Sequence, residues 1–291
     1  ETRLVVVGNA STPVTIVTPL PGAVITGSVT VKATAPDTTV RCEFNVSRAG
    51  TTTTWNLAGV ATSTRSVDSN GNDGWMGLWT TSMFTDGTYT LSAFAYDING
   101  EIGSDSISVV IDNTQPIGSV SVASLVKGVA TITYSSIYTD IEQVVFEYGS
   151  SAGTYTIGVD TTAPFNISWN TTNMVDGTYT ILATAVDGVG LNYATSSTSV
   201  VDNTAPAGTI TAPAAGAVIR GTVSIDSAWS DSHSMGSIEM RIDGGTWTSL
   251  AAWDTTVLAD GAHSLRLRRA DSLGNMGETD ARLVIVDNTQ P

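Results

Sequence analysis

A five-residue motif, Asp-Asn-Thr-x-Pro, occurs three times in this chain and divides it into segments of similar length. The copies are Asp112–Pro116, Asp202–Pro206 and Asp287–Pro291, whose first residues are 90 and 85 residues apart (202 − 112 and 287 − 202). A fixed period of this kind is typical of tandem repeats. We therefore predict three repeats, at residues 14–116, 117–206 and 207–291.

Residues 1–13 precede the first repeat and end, as the repeats do, in a short linker before a proline. They resemble the last strand of an earlier repeat, so the chain is interpreted as a piece of a longer array. Two alternatives remain open. This strand could insert into a neighbouring subunit of a filament by strand addition, or it could be an ordered tail.

Alternation of apolar and polar residues predicts that the repeats are all-β. In the run from Val40 to Val46, every second residue is apolar, which is typical of a strand with one face in a core. This pattern buries Cys42, the only cysteine of the chain. A lone buried cysteine is expected to be structural, and it excludes an intrachain disulfide or a cysteine metal site.

A second motif, Trp followed seven residues later by Asp-Gly, recurs with the same period. It starts at Trp79, Trp169 and Trp253. Each Asp-Gly turn precedes an alternating run, a polar loop and the strand that leads into the linker, which indicates a hairpin. The predicted fold is three tandem β-sandwiches of immunoglobulin size, arranged as a rod.

Composition narrows the choice of partners. Twelve basic residues against 27 acidic ones give a formal charge of −15, which makes nucleic acid and anionic membranes poor partners. No apolar run approaches the roughly 18 residues of a membrane helix. We therefore expect a soluble segment without direct membrane insertion, whose signal or anchor, if any, lies outside it.

The second repeat carries a family resemblance. The phrases Asp160–Trp169 (Asp-Thr-Thr-Ala-Pro-Phe-Asn-Ile-Ser-Trp) and Asp176–Asp187, followed by Val-Asp-Asn-Thr-Ala-Pro, resemble the bacterial immunoglobulin-like repeat of large prokaryotic surface proteins. The resemblance implies sandwich domains in an extracellular, cell-surface setting and fixes no ligand. It also implies a tyrosine corner at Tyr89 and Tyr179, with His263 as a structural substitute in the third repeat.

Repeat one departs from the family pattern at residues 48–78, which predicts an extra hairpin or a grafted functional loop. Trp55 and Trp75 flank this insertion and are candidates for stacking on a sugar, against the alternative that they pack beneath it. The stretch Asp68–Gly74 (Asp-Ser-Asn-Gly-Asn-Asp-Gly) begins like a calcium loop. It lacks the glycine and glutamate positions of an EF-hand, so only a looser calcium loop or an exposed turn remains.

Calcium is the cofactor that the linkers suggest. In an immunoglobulin-like sandwich, the loop between the second and third strands and the tip of the final hairpin lie where the chain enters, and so face the preceding linker. Carboxylates and amides gathered there suit calcium, whereas the alternative is that they cap turns. The candidate ligands are Asp112, Asn113, Asp140, Asp187 and Asn192 at the first junction, and Asp202, Asn203, Asp231, Asp271 and Asn275 at the second.

Four Asn-x-Ser/Thr sequons are candidate glycosylation sites: Asn9, Asn45, Asn166 and Asn170. Alternation places Asn45, Asn166 and Asn170 on the faces opposite the apolar residues, where a glycan requires them. Glycan modification is expected if the source decorates its surface proteins in this way.

Catalysis is not expected, because the serines lie in alternating runs and linkers without a nucleophile elbow. The acidic residues recur at equivalent turns, and His233 and His263 form no metal motif. The predicted function is structural: a stalk, surface-layer or surface-filament segment that contacts neighbouring repeats or identical subunits. Alternatives are a carbohydrate- or receptor-binding adhesin module using the insertion, and an accessory region of a secreted hydrolase.

Overall fold

The computed structural model describes residues 13–57, 65–67 and 73–289. Within these ranges the regular elements are β-strands, apart from one 3₁₀ turn at Thr81–Met83. No helix in the described part of the chain is long and apolar enough to span a membrane. The expected all-β fold is confirmed.

Repeat one forms two sheets. Its strands are β1 (Thr15–Thr18), β2 (Val24–Ile25), β3 (Ser28–Thr34), β4 (Arg41–Arg48), β5 (Thr54–Asn56), β6 (Arg65–Val67), β7 (Asp73–Thr80), β8 (Gly87–Asp97) and β9 (Gly100–Ile111). One sheet has the order β1-β3-β7-β6, and the other has the order β2-β9-β8-β4-β5. Of the predicted insertion 48–78, β5 extends one sheet and β6 extends the other, while residues 58–64 and 68–72 lie outside the described ranges.

Repeat two has the same arrangement, except that its smaller sheet has three strands instead of four. Its strands are β10 (Gly118–Ser121), β11 (Leu125–Val126), β12 (Val129–Ser136), β13 (Ile141–Ser150), β14 (Gly153–Asp160), β15 (Asn166–Asn170), β16 (Gly177–Asp187) and β17 (Asn192–Val201). The sheets have the orders β10-β12-β15 and β11-β17-β16-β13-β14.

Repeat three divides the first sheet into two short ladders. Its strands are β18 (Ala207–Ala212), β19 (Val218–Ile219), β20 (Thr222–Val223), β21 (Asp226–Ser230), β22 (Met235–Ile242), β23 (Thr248–Ser249), β24 (Trp253–Asp254), β25 (Gly261–Asp271), β26 (Met276–Glu278) and β27 (Arg282–Val286). The ladders β18-β21 and β20-β24 oppose a sheet of order β19-β27-β25-β22-β23, in which β26 also pairs with β25.

The start of each repeat switches sheets in the same way. The first strand pairs with the next strand of the smaller sheet, β1 with β3, β10 with β12 and β18 with β21, and this pairing is antiparallel in repeats one and three. The second strand of every repeat pairs parallel with the last strand of that repeat. Two antiparallel sheets joined by such a switching strand form an immunoglobulin-like sandwich. The predicted all-β, immunoglobulin-like sandwich class is therefore confirmed, while the number of domains and their arrangement as a rod stay predictions.

Each sandwich closes over a buried tryptophan from the Trp-to-Asp-Gly motif: Trp79, Trp169 or Trp253. The alternating face of β4 is buried as predicted, with Cys42, Phe44 and Val46 at 0% exposure. Burial, followed by the charge of Glu43, raises the pKa of the Cys42 thiol to about 11. A protonated, enclosed thiol is a structural residue, as expected.

The chain packs as two compact units. One contains the described residues up to Gly118 together with Ser136–Gln143 and Thr184–Ala194. The other contains Ser119–Ser135, Val144–Ala183 and the described residues from Thr195 onward. Division into three independent repeats thus stays a prediction, but each linker described below lies within a single unit.

Candidate metal sites at the linkers

The first residue of every linker motif uses one carboxylate oxygen to cap its own turn. In each copy, Oδ1 of the aspartate accepts a hydrogen bond from the backbone N–H of the threonine two residues later, at 3.1–3.2 Å. The pairs are Asp112–Thr114, Asp202–Thr204 and Asp287–Thr289. The turn-capping alternative is therefore correct for Oδ1, and only Oδ2 remains to act elsewhere.

The asparagine of the motif anchors the linker to its own repeat. Asn113 donates from Nδ2 to the carbonyls of Thr81 and Phe84, at 3.0 and 3.1 Å, and its N–H donates to Oδ1 of Asp86 in the Asp-Gly turn. Asn203 and Asn288 repeat these contacts. The prediction that Asn113 and Asn203 are metal ligands is wrong, because their side-chain oxygens are also engaged within the preceding sandwich. Oδ1 of Asn113 accepts from the hydroxyls of Thr26 and Thr81, and Oδ1 of Asn203 accepts from the Gly128 N–H.

Asp140 and Asp187 lie close enough to Asp112 for their charges to raise the pKa of that carboxyl. Among the described residues, however, the only group of three or more potential metal ligands with atoms within 4.8 Å of one another is at the second linker, so a metal site at the first linker stays a prediction. Asp187 is only 1% exposed. Its Oδ1 accepts from the N–H groups of Val189 and Leu191, while its buried Oδ2 has no hydrogen-bond partner. An anionic oxygen without a partner is costly to bury, so this atom is poised to meet a cation.

Like charge is concentrated at this linker. The pKa of Asp112 is raised, first by burial and then by the charges of Asp187, Asp140 and Asp86, although the Thr114 N–H opposes the rise. Hard oxygen ligands that repel one another fit calcium, which would neutralise them. Asn192, by contrast, is an exposed residue at the start of β17, one position beyond the Leu191 N–H that bonds Asp187.

The second linker has a different set of groups. Asp202 is 0% exposed, and its Oδ2 also lacks a hydrogen-bond partner. Ligand atoms of Asp202, Asp231 and His233 all lie within 4.8 Å of one another. Nδ1 of His233 is 2.6 Å from Oδ2 of Asp202, but the contact does not have the orientation of a hydrogen bond.

Asp271 and Asn275 support the second linker through hydrogen bonds. Oδ1 of Asp271 accepts from the N–H groups of Leu273 and Asn275, and Oδ2 accepts from Nδ2 of Asn275. Burial opposes ionisation, but these hydrogen bonds lower the pKa of Asp271. Asn275 Nδ2 also donates to the carbonyl of Asp202 at 3.0 Å, so the predicted ligands Asp271 and Asn275 hold the linker in place instead.

His233 is the residue that sequence reasoning missed. No second histidine lies near it in sequence, so no metal motif marks it. The loop between the second and third strands was nevertheless expected to face the linker, and His233 lies in that loop, two residues after Asp231. Comparing this loop residue by residue with that of repeat two could have found it.

The two tryptophans of the repeat-one insertion do not form one stacking surface. Trp75, on β7, is half-buried and packs against the core, so its assignment as a stacking residue is wrong. Trp55, on β5, is 39% exposed and lines a cavity of about 660 Å³ with Arg48, Asn56, Phe84 and Tyr89, among others. The candidate calcium loop at Asp68–Gly74 lies mostly outside the described residues.

The sequons differ in accessibility. Asn166 and Asn170 are exposed, as predicted. Asn45 is half-buried and its Oδ1 is enclosed without a partner, so the prediction that it faces solvent is wrong. Asn9 lies outside the described residues, and glycosylation of any of them stays a prediction.

Comparison with known proteins supports the family resemblance. A family model described as a bacterial Ig domain matches residues 206–267. Repeat three thus resembles a bacterial Ig domain. The match begins at Pro206, the last residue of the second linker motif, and ends within β25. No curated protein matches the sequence at a significant level.

Several solved structures are similar over long stretches. A structure of a 1.5-MDa bacterial ice-binding adhesin is 18% identical, covers 96% of this chain and 100% of its own, and gives a TM-score of 0.42. A tetra-tandem repeat from the extending region of a large adhesion protein is 22% identical, with coverages of 95% and 74% and a TM-score of 0.35. The fibronectin(III)-like modules of Clostridium thermocellum CbhA are 20% identical, with coverages of 65% and 92% and a TM-score of 0.36.

Proposed function

We propose that this chain is a spacer segment of an extracellular, cell-surface protein, in which tandem immunoglobulin-like repeats are coupled by short, stiff linkers. The observation that carries the proposal is the linker anchor. In all three copies, the asparagine side chain bonds two carbonyls of the preceding sandwich and its N–H bonds the Asp-Gly turn. A linker bonded in this way has little freedom to act as a flexible tether.

A spacer of this type makes its contacts with other immunoglobulin-like repeats. Repeat proteins gain stability from each unit and from the interfaces between neighbours. Partners in this proposal are therefore neighbouring repeats or identical subunits of a surface assembly, and the family match to a bacterial Ig domain supports a bacterial surface setting. The proposal involves no catalysis.

Calcium at the first linker is the cofactor of this proposal. The ligands are Asp112, Asp140 and Asp187, with water and backbone carbonyls completing a shell of about six to eight oxygens. Binding would neutralise the repulsion at Asp112 and supply a partner for Oδ2 of Asp187. The ion would thereby restrict motion of the first linker relative to the loops of repeat two that contain Asp140 and Asp187.

Small-angle scattering of the chain tests both statements. We expect the maximum dimension to rise and its distribution to narrow when calcium replaces a chelator. Asp187→Asn should abolish this response, because it keeps a turn-capping oxygen and removes the charge. The matched control is Asp97→Asn, since Asp97 also ends the penultimate strand of a repeat and accepts from the N–H groups of Asn99 and Gly100.

Each contrary outcome has a distinct meaning. An extended particle that ignores calcium would leave the spacer proposal standing and assign the carboxylates to turns alone. A folded-back, compact particle in both conditions would overturn the spacer proposal itself.

A second candidate function is glycan binding at the cavity of repeat one. The half-exposed Trp55 ring offers an apolar face, and Arg48 and Asn56 supply polar groups at the cavity lining, a combination typical of small-ligand sites. Binding on a glycan array that is lost in Trp55→Ala and kept in Trp75→Ala would support this function. Absence of binding by the unmodified chain would exclude it for the glycans on that array.

A further inference from the structure

The two linkers carry different ligand chemistry. At the first linker, the charges that act on Asp112 are those of the carboxylates Asp187, Asp140 and Asp86, so the candidate ligand atoms there are oxygens. At the second linker an imidazole nitrogen joins two carboxylates. Imidazole is a ligand for zinc and other first-row transition metals, whereas calcium takes oxygen ligands.

We propose that the second linker is a transition-metal site of the zinc class, in which Nδ1 of His233 and carboxylate oxygens of Asp202 and Asp231 bind one divalent ion. The site goes beyond the proposed function, because it assigns a different metal to a different linker. One nitrogen and two oxygens from the protein leave the fourth position of a tetrahedral zinc ion for water or for another ligand.

The burial of Asp202 is the observation that most favours a bound cation at the second linker. Its side chain is completely enclosed, and its Oδ2 has no hydrogen-bond partner. Burying a carboxylate is unfavourable unless a hydrogen bond or a cation compensates its charge, and this oxygen faces Nδ1 of His233 at 2.6 Å. Since ligand atoms of Asp202, Asp231 and His233 all lie within 4.8 Å of one another, a divalent cation among them would compensate the charge.

The histidine ring presents the correct atom. Nδ1 faces Oδ2 of Asp202 at 2.6 Å without the orientation of a hydrogen bond, and Oγ of Ser232 lies 3.1 Å from the same nitrogen. Metal–ligand bonds of about 2.0–2.2 Å would place two ligand atoms roughly 3.3 Å apart in tetrahedral geometry. A small rotation of the imidazole, whose side chain is 24% exposed, suffices to open that space.

The surrounding contacts hold the ligands in position before metal binds. The backbone N–H of His233 donates to Oδ1 of Asp231 at 2.7 Å. Oδ1 of Asp202 is engaged by the Thr204 N–H, and the Asp202 carbonyl is fixed by Asn275. Each carboxylate thus uses Oδ1 for a local turn, and such support shells are typical of metal sites.

Histidine ring signals in an NMR titration provide a direct test, because the chain contains two histidines. Zinc ion is added to the full chain in excess calcium, which occupies the all-oxygen linker. We expect the His233 ring signals to shift with a stoichiometry of one and the His263 signals to stay in place. If the His233 signals do not move, the proposal is wrong.

Two variants give the matched comparison of affinity, measured by competition with a chromophoric chelator. His233→Asn should weaken zinc binding by more than the roughly 10- to 100-fold that loss of a supporting contact costs. His263→Tyr, which removes the other histidine, should bind zinc as the unmodified chain does. Equal zinc affinity in His233→Asn and the unmodified chain would contradict the site.

A third measurement separates this inference from the proposed function. The scattering response to calcium depends on the first linker, so His233→Asn should retain it. Asp231→Asn should lose zinc affinity while remaining folded, because an asparagine oxygen still caps the loop. If the unmodified chain does not bind zinc but still extends with calcium, the zinc site is wrong and the spacer proposal with calcium at the first linker still stands.

Discussion

At the scale of single residues, His263 shows how one side chain can replace another by reproducing its hydrogen bond. Tyr89 and Tyr179 donate their hydroxyls to carbonyls four residues earlier, at 2.9 and 2.8 Å, which confirms the tyrosine corner. In repeat three, Nε2 of His263 lies 2.8 Å from the carbonyl of Ala259. Its Nδ1 lies 2.6 Å from Oδ2 of Asp243.

The two partners of His263 make the stability of repeat three dependent on pH. Both partners accept hydrogen bonds, so both ring nitrogens are satisfied as donors only in the imidazolium form. The hydrogen bond to Asp243, followed by that to Ala259, raises the pKa of His263. Burial opposes ionisation of Asp243, but hydrogen bonds from His263 and Ser264 lower its pKa.

The signs of these shifts define the pH window. Since the folded pKa of His263 is raised, its contribution is complete below the unfolded value of about 6.5 and is lost as pH rises through the folded value. The contribution of Asp243 is present above about pH 4 and is lost as pH falls. We expect the free energy of unfolding to decline by up to about 1 kcal/mol above pH 6.5, as for other near-surface pairs.

Urea unfolding at several pH values checks this expectation, with His263→Tyr as the comparison. The tyrosine keeps a hydroxyl for the Ala259 carbonyl and does not titrate near neutral pH. The decline should disappear in this variant. A variant with the same pH dependence as the unmodified chain would mean that another group is responsible.

At the scale of strands and loops, the buried tryptophan organises each sandwich. Trp169 on β15 contacts Tyr148 and Tyr179, with ring centroids 5.9 and 5.8 Å apart. Its Nε1 is buried without a hydrogen-bond partner. The residue therefore contributes through packing of its rings and not through its polar atom.

Trp169→Ala should lower the free energy of unfolding by about 3–5 kcal/mol, because it opens a large cavity in the core. Trp169→Phe should cost less, since it keeps an aromatic ring there and removes an unsatisfied donor. Val175→Ala is the control, because Val175 is 79% exposed. A loss below about 1 kcal/mol for Trp169→Ala, measured by chemical denaturation, would contradict this role.

The strands could be predicted from the sequence because alternation reports directly on burial. β4, β8 and β16 have the buried faces expected from their side chains. The polar residue Asn45 shows the limit of this reasoning. Alternation gives its face, but the enclosure of its Oδ1 depends on neighbouring side chains that a single strand does not specify.

The linker sites could be predicted only in part, for a similar reason. Topology places Asp140 and Asp187 close enough to Asp112 for their charges to raise its pKa, while a metal site there stays a prediction. An amide, however, can turn toward either of two neighbouring repeats, and Asn113 turns back toward its own. For His233, proximity to Asp202 arises from packing between segments about 30 residues apart, which local sequence does not reveal.

At the scale of the whole molecule, the question is whether neighbouring repeats unfold together. The contact between Gly277 on β26 and the second linker bears on this directly. A Cβ atom placed on Gly277 would lie only 1.8 Å from the carbonyl oxygen of Pro206. Backbone therefore meets backbone at this point, and only glycine allows so close an approach.

Gly277→Ala should uncouple repeats two and three, because the linker carbonyl or β26 must move to admit the methyl group. Such overpacking typically costs about 1–3 kcal/mol. In Gly277→Ala the lost free energy comes from the interface between neighbouring repeats, which couples their unfolding in a repeat protein. Calorimetry should show a lower or split transition for the second and third repeats. The control is Gly188→Ala, where nothing lies within 4 Å of the added atom, and it should leave the transition unchanged. If calorimetry gives the same unfolding transition for both variants, the contact with Pro206 does not couple the repeats.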